Sequence, residues 1–282
     1  MRAYFSRPLR TLLSQSLVMQ IDTVTGSNDT SSTSVATPMA HQAVHDTVVK
    51  ILCDFTRGKL LDVPAGEGAL AARLIEIGFD VHCCDLYPEI FRLQDVEIKR
   101  GDLSSALPYR DNVFDYVTCV EGLEHIENPQ QAVREFARVL RAGGHLITSV
   151  PNIMNIEERL KWLLHGYTSH FKPITREQVA RYRAEIHGKE EMALHVNPIG
   201  YSELRYTLEQ SGFQIVRLYR DKPKAQLWLY WPIVVLIRVI ARLTPERKRK
   251  ESWTEELISR EVLLGGNTLI VHAVLSANPR AI

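Results

Sequence analysis

Residues 59–71 read Lys59-Leu60-Leu61-Asp62-Val63-Pro64-Ala65-Gly66-Glu67-Gly68-Ala69-Leu70-Ala71. The run from Lys59 to Val63 reads as a short buried strand, and Ala69 to Ile77 as a helix stopped by Gly78. A strand that feeds a glycine turn and then a helix is the opening unit of a parallel α/β sheet. Gly66 and Gly68 let a ligand approach the backbone closely and admit a left-handed φ. The helix that follows offers unpaired N–H groups at its start. By itself the Gly66-x-Gly68-x-x-Ala71 spacing also fits a nicotinamide- or flavin-binding turn.

Outward from this unit the alternation continues. Ala43–Phe55 reads as a helix before it. Asp80–Asp85, Val96–Lys99 and Phe114–Val120 read as further strands, then Pro129–Leu140 as a helix closed by Gly143-Gly144, then His145–Val150 as a fifth strand. A helix at Ser202–Ser211 and strands at Phe213–Tyr219 and Thr268–Leu275 complete the sheet. The expectation is an α/β, Rossmann-like, mostly parallel sheet with helices on both faces and two insertions. Residues 41–150 form the core, 151–200 a lid over the acceptor site, and 201–220 more core. Residues 221–266 form an apolar and basic insertion, and 267–282 the last strand and tail. In such sheets ligands bind outside the carboxyl ends of the strands, so the chemistry is sought there.

Composition narrows the classes. The chain has 282 residues with 45% hydrophobic and 24% charged, which is globular and not disordered. Thirty-four basic residues against 33 acidic ones leave +1, so nothing global steers it toward nucleic acid. Cys53, Cys83, Cys84 and Cys119 form no CxxC pair, which points to neither a zinc module nor a disulfide framework but to a reducing compartment. Residues 1–40 are different. Arg2, Arg7 and Arg10 precede the first acid, Asp22, and Gly26–Thr37 is polar and of low complexity. They read as a flexible tail or a leader. The expected location is cytoplasmic, with a peripheral place at the inner membrane face or a mitochondrial one as alternatives.

The acidic neighbours of the turn separate the cofactors. Asp62 ends the first strand, Asp85 the second, and Asp102 follows the third in Gly101-Asp102-Leu103. Three carboxylates ring one cleft, and Glu67 lies in the turn where a pyrophosphate would be repelled. The cleft suits a cationic nucleoside, with Asp85 placed for ribose hydroxyls. The sequence continues with Phe114-Asp115-Tyr116-Val117, Glu121-Gly122-Leu123-Glu124-His125-Ile126 and Val139-Leu140-Arg141-Ala142-Gly143-Gly144. In this order the motifs resemble class I S-adenosylmethionine-dependent methyltransferases. The resemblance implies seven strands with an antiparallel final one, and S-adenosyl-L-methionine as cofactor. It implies Asp62, Gly66 and Gly68 at the methionine end, Asp85 at the ribose, Asp102 and Leu103 at the adenine, and Glu121 in the cofactor set. One departure is Pro64 and Ala65, where many relatives have Gly and Cys. Proline removes a backbone donor and fixes φ.

Glu121, Glu124 and His125 have i, i+3, i+4 spacing, which on a helical turn puts all three on one face. Three readings stay open. His125 is a general base; or the three hold Mg²⁺ or Mn²⁺, as a similar ExxEH does in quinone O-methyltransferases and small-RNA 2′-O-methyltransferases; or the segment is structural. A divalent metal is the less favoured of the functional pair. A sulfonium methyl is already activated, so alignment alone supplies much of the rate.

The insertions carry the acceptor. The first holds His165, Tyr167, His170, His187 and His195, and His195 joins His125 as a catalytic candidate. Ser149–Asn152, His195-Val196-Asn197-Pro198 and Tyr201–Leu204 are similar to bacterial methyltransferases of glycan and glycolipid assembly. In the second, Leu227–Leu243 is interrupted by Pro232 and Arg238 and followed by Arg247-Lys248-Arg249-Lys250. It falls short of the roughly 20 apolar residues of a span and suits peripheral membrane contact over 227–250. The resulting expectation is O-methylation of a glycan, lipid-linked sugar or other amphiphilic small molecule. The alternatives are a quinone-pathway O-methyltransferase, an RNA 2′-O-methyltransferase, or an NAD(P)-dependent oxidoreductase.

Overall fold

The computed structural model describes residues 36–185 and 194–277. His187 and all but the last few residues of the expected 1–40 tail lie outside them. In chain order the core begins with α1 (Gln42–Cys53), β1 (Lys59–Asp62), α2 (Ala69–Glu76), β2 (Asp80–Asp85), β3 (Ile98–Arg100) and β4 (Phe114–Cys119). It continues through α3 (Pro129–Val139), β5 (Leu140–Pro151), α4 (Ile156–His165), α5 (Arg176–Glu185), α6 (Tyr201–Gln210) and β6 (Phe213–Arg220). Then come α7 (Leu227–Leu243), α8 (Glu246–Glu251), α9 (Thr254–Leu257) and β7 (Thr268–Leu275).

Among the described residues the sheet has seven strands in the order β3-β2-β1-β4-β5-β7-β6. Pairings from β3 to β5 are parallel, and β7 runs antiparallel to both β5 and β6. The strand order reverses between β1 and β4, and a crevice opens beyond the carboxyl ends there. The sheet is covered on both sides, which is why Leu60 and Leu61 are both fully buried although they point to opposite faces. Leu60 packs with Leu52, Leu70, Leu74 and Ile147 under α1 and α2. Leu61 packs with Val117, Phe136, Leu146 and Leu208 under α3 and α6. Each such side chain contributes about 1.5–3 kcal/mol of burial.

Local signals act where expected, with three differences. The Asn128 side chain caps α3 by accepting from the Gln131 N–H, with Pro129 in the first turn. That helix ends at Val139, however, and Gly143-Gly144 do not close it. They lie within β5, where the four residues between Leu140 and His145 pass against the single Asp115 between Phe114 and Tyr116 on β4, and Gly143 takes φ +77° in the outlooped step. The two insertions are one helical layer. Ile156 of α4, Val234 of α7 and Leu263 share a core, and the Asn155 amide donates to the carbonyls of both Asn152 and Gly266. The last residues of the expected 1–40 tail also touch the core, although residues 37–39 stay exposed. Ala40 is buried and the Thr37 N–H donates to the Glu67 carboxylate at 2.9 Å.

Candidate functional site

A cavity of about 810 Å³ lies beyond the carboxyl ends of β1, β2 and β4, within the size range of nucleotide and small-molecule sites. Asp62, Gly66, Asp85, Asp102, Leu103, Glu121 and His125 all line it.

Three backbone donors of the turn after β1 are already engaged. Pro64 has no N–H, the Ala65 N–H bonds to Cys84 O, and the Gly68 N–H bonds to Ala65 O. The Gly66 N–H donates to Asp85 Oδ2 at 2.8 Å, and the Tyr87 N–H to Asp85 Oδ1 at 2.9 Å. Asp85 therefore sits rigidly at the end of β2 with lone pairs left over for hydroxyl donors. A pyrophosphate, which needs several free N–H groups, finds these three positions unavailable and a carboxylate in their place.

Asp62 is more deeply buried than Asp85. Its Oδ1 accepts from Thr118 Oγ1 at 2.7 Å, while the buried Oδ2 has no partner. Burial raises its pKa to about 7; the Thr118 hydroxyl opposes this and the Asp85 charge adds to it. A buried acceptor aimed at the cavity suits an ammonium group. Asp102 accepts from the Ser104 N–H at 2.7 Å, and Leu103 offers an apolar wall beside it.

Gly66 and Gly68 do different things. Gly66 faces the cavity at φ +54°, roofed by Met39, whose Sδ lies 2.8 Å from where a Cβ would be. Gly68 does not line the cavity. At φ +94° it starts α2, and its outward side is closed by Phe91 and Leu93 at 2.8–2.9 Å. A side chain at this position would meet both of them.

The segment after β4 departs from the expected helical face. Glu121 takes φ +49°, and only Leu123–His125 makes a single tight turn. Glu121 is thereby turned away from the other two; its Oε1 accepts from Thr268 Oγ1 at 3.0 Å and its N–H donates to Ser149 Oγ. Glu124 and His125 meet His195 instead: one ligand atom from each lies within 4.8 Å of the others. The link across 70 residues is made by Glu124 O, which accepts the N–H groups of Val196 and Asn197 at 2.9 and 3.0 Å. Leu194 and Val196, on either side of His195, line the cavity while His195 itself does not.

This trio has the donor chemistry of a cation site. Glu124 is fully buried and neither carboxylate oxygen has a hydrogen-bond partner. Burial, reinforced by the Glu121 charge, holds its pKa well above the ordinary carboxylate range. His125 Nδ1 donates to Leu194 O at 3.0 Å and His195 donates to the His170 carbonyl, which fixes the orientation of both rings. Burial, with His125 and His170 nearby, lowers His195 to about 4 and keeps it neutral at pH 7.

Several lining residues had no signal in the sequence. Thr37 and Met39 come from a polar stretch whose composition says nothing of a return to the turn. His45 sits on the buried face of α1 beside Val44 and Val48, with its pKa lowered to about 4 by burial and then by Arg73. Tyr87 and Ile90 follow β2 in a short turn that no spacing rule marks.

Residues 61–148 match a family model described as a methyltransferase domain. A ubiquinone biosynthesis O-methyltransferase of Xanthomonas oryzae pv. oryzae (strain PXO99A) is 31% identical over 108 residues, 35% of this chain and 45% of that protein. A demethylmenaquinone methyltransferase of Renibacterium salmoninarum is 33% identical over 96 residues, 32% of this chain and 40% of that one. The chain thus spans less than half the length of either relative. The solved structure of a SAM dependent methyltransferase from Archaeoglobus fulgidus covers 82% of this chain and 94% of its own at 14% identity, with a TM-score of 0.49.

Proposed function

We propose that this chain, whose residues 61–148 match a methyltransferase-domain family model, moves the methyl group of S-adenosylmethionine to a hydroxyl of a small amphiphilic acceptor. The acceptor class favoured is a ring hydroxyl of the quinone-precursor type. Two relatives carry quinone-pathway names, and the cavity wall beside His125 is apolar, made of Val120, Ile126, Leu194 and Val196. The glycan, lipid-linked sugar and RNA readings have no comparable support, and the near-zero net charge weighs against RNA. Peripheral membrane contact through 227–250 belongs to the same reading and is taken up below.

The observation that carries the proposal is the acidic cradle with its spent N–H groups. Asp62 holds the ammonium, Asp85 the ribose hydroxyls, and Asp102 with Leu103 the adenine end. The same arrangement disfavours a nicotinamide dinucleotide. In the reaction the S–CH₃ bond breaks as an O–CH₃ bond forms in line, leaving S-adenosylhomocysteine, and the hydroxyl proton departs. The chain's contribution is mainly positioning: the cradle fixes the methyl donor, and the apolar wall lays the acceptor ring against it and keeps water out.

The orphaned Glu124 carboxylate favours a second element. Glu124, His125 and His195 would hold a divalent cation, which when bound would polarise a nearby acceptor oxygen. Without a cation, His125, which lines the cavity, would be the group that accepts the proton. The test is label transfer from methyl-labelled S-adenosylmethionine to a polyprenyl catechol, a lipid-linked saccharide and an RNA oligonucleotide, before and after chelation. The reading expects label on the catechol. Label confined to saccharide or RNA overturns the acceptor class, and no transfer after cofactor binding is verified overturns the activity.

A further inference from the structure

α7 carries apolar residues on both its inner and its outer side. Its inner residues Val234 and Ala241 are buried, with Ile233 and Ile237 packed toward Ile156 and Leu263. Its outer residues stay open: Trp228, Leu236 and Leu243 are 75%, 57% and 78% exposed. The neighbouring α4 adds to this face. It packs on α7 and ends in Trp162-Leu163-Leu164, which are 62%, 77% and 73% exposed. Folded proteins rarely leave two adjoining helices with such bare apolar residues unless something covers them.

We propose that the outer face of α7 and the tip of α4 together form one docking surface for an anionic lipid bilayer. Charge selects the occupant. From residue 238 to 256 the chain carries Arg238, Arg242, Arg247, Lys248, Arg249 and Lys250 against Glu246, Glu251, Glu255 and Glu256, and its excess is basic even though Arg247, Arg249 and Lys250 pair with Glu251, Glu255 and Glu246. A second copy of this chain would bring another cationic segment to the same face, whereas anionic headgroups answer both the charge and the apolar residues. Tryptophan at 162, 228 and 231 is the aromatic type that settles at headgroup depth. The helix lies in the plane of the surface. Seventeen residues reach about 26 Å, less than the roughly 30 Å hydrocarbon core, and no helix among the described residues is long and apolar enough to cross a membrane.

The surface is joined to the catalytic crevice through α4. Glu158 accepts the Ser169 N–H and Lys161 donates to Ser169 Oγ, both at 2.6 Å, so α4 holds the loop around Ser169. The His170 and Phe171 rings of that loop lie 5.9 and 5.6 Å from the His195 ring. Both insertions leave the sheet at the edge where β5 and β6 end, the same edge as the cavity. A membrane-dissolved acceptor therefore enters from the side that touches the bilayer. This delivery step rests on the amphiphilic-acceptor reading above; docking itself does not.

The test is co-sedimentation of the full chain with phosphatidylcholine vesicles, with and without phosphatidylglycerol, at low and high salt. Two surface variants accompany it, Trp162→Ser with Leu163→Ser, and Trp228→Ser with Trp231→Ser, each verified by S-adenosylhomocysteine calorimetry. Wild type pellets with the anionic vesicles and is released by salt. Each variant loses about tenfold in partitioning or more while cofactor affinity stays unchanged. No pelleting with either vesicle, or pelleting indifferent to the α4 pair, overturns the proposal. So does a concentration-dependent dimer that the Trp228/Trp231 variant abolishes, which assigns the face to a second copy. Vesicle binding without S-adenosylhomocysteine binding would instead remove the cofactor reading and leave docking standing.

Discussion

Replacing Asp62 with asparagine tests the cradle through its dependence on pH. Asparagine is isosteric, so its Oδ1 still accepts from Thr118, but the unpartnered Oδ2 becomes an amide donor. In the ligand-free protein burial raises the Asp62 pKa to about 7. Its contribution to stability is therefore full below the ordinary aspartate value of about 3.9 and is lost as pH rises through about 7. A bound ammonium reverses that preference, because it pairs with the ionised form. Between pH 8 and pH 6 the ionised fraction falls about tenfold, and affinity for S-adenosylhomocysteine, which keeps the ammonium, should fall by about as much. At pH 8 the asparagine variant loses a hydrogen bond between charged groups, about 1.5–3 kcal/mol or roughly 10- to 100-fold in affinity. It should also flatten the pH profile, so that the two proteins converge toward pH 6. Calorimetric titration at pH 6, 7 and 8 reads both effects. Parallel profiles for wild type and variant would refute the assignment of Asp62 to the cofactor's ammonium.

Three further outcomes are expected. Manganese should raise the melting temperature of the wild-type protein, and Glu124→Gln or His195→Ala should abolish that rise; an equal rise in all three places the ion elsewhere. Gly68→Ala forces a Cβ onto Phe91 and Leu93 at φ +94° and should cost about 1–3 kcal/mol in urea unfolding, whereas a change under about 0.5 kcal/mol contradicts that close packing. Asp85→Asn places an amide donor against the Gly66 or Tyr87 N–H and should weaken S-adenosylhomocysteine about tenfold or more at every pH; an unchanged affinity would remove Asp85 from the ribose.

Much of the cradle was legible in the sequence because its chemistry is short-range. Asp62, Asp85 and Asp102 each end or directly follow a strand, and an alternating α/β pattern puts all such ends on one edge of the sheet. The antiparallel seventh strand came only with the family resemblance. The cation-like trio was half visible. Glu124 and His125 are adjacent, but the helical spacing rule recruited Glu121, which a left-handed φ sends to Thr268 instead. His195 joins them through two N–H groups of residues 196 and 197 donated to Glu124 O, a tertiary contact that no local spacing encodes. Gly143-Gly144 misled for a similar reason. A glycine pair after a helix signals a stop, yet here it carries an outlooped step inside β5 that depends on the register with β4. The exposed α4 tip was also out of reach, because nothing in Trp162-Leu163-Leu164 says which side of the helix the packing of α7 leaves open.

The account depends most directly on which nucleoside the crevice accepts. Isothermal titration of the intact protein with S-adenosylhomocysteine and, separately, with NAD decides it. A saturable heat with S-adenosylhomocysteine and none with NAD is the expected pair of results. Saturable NAD binding with no response to S-adenosylhomocysteine would contradict the cradle, and the methyl transfer argued from it.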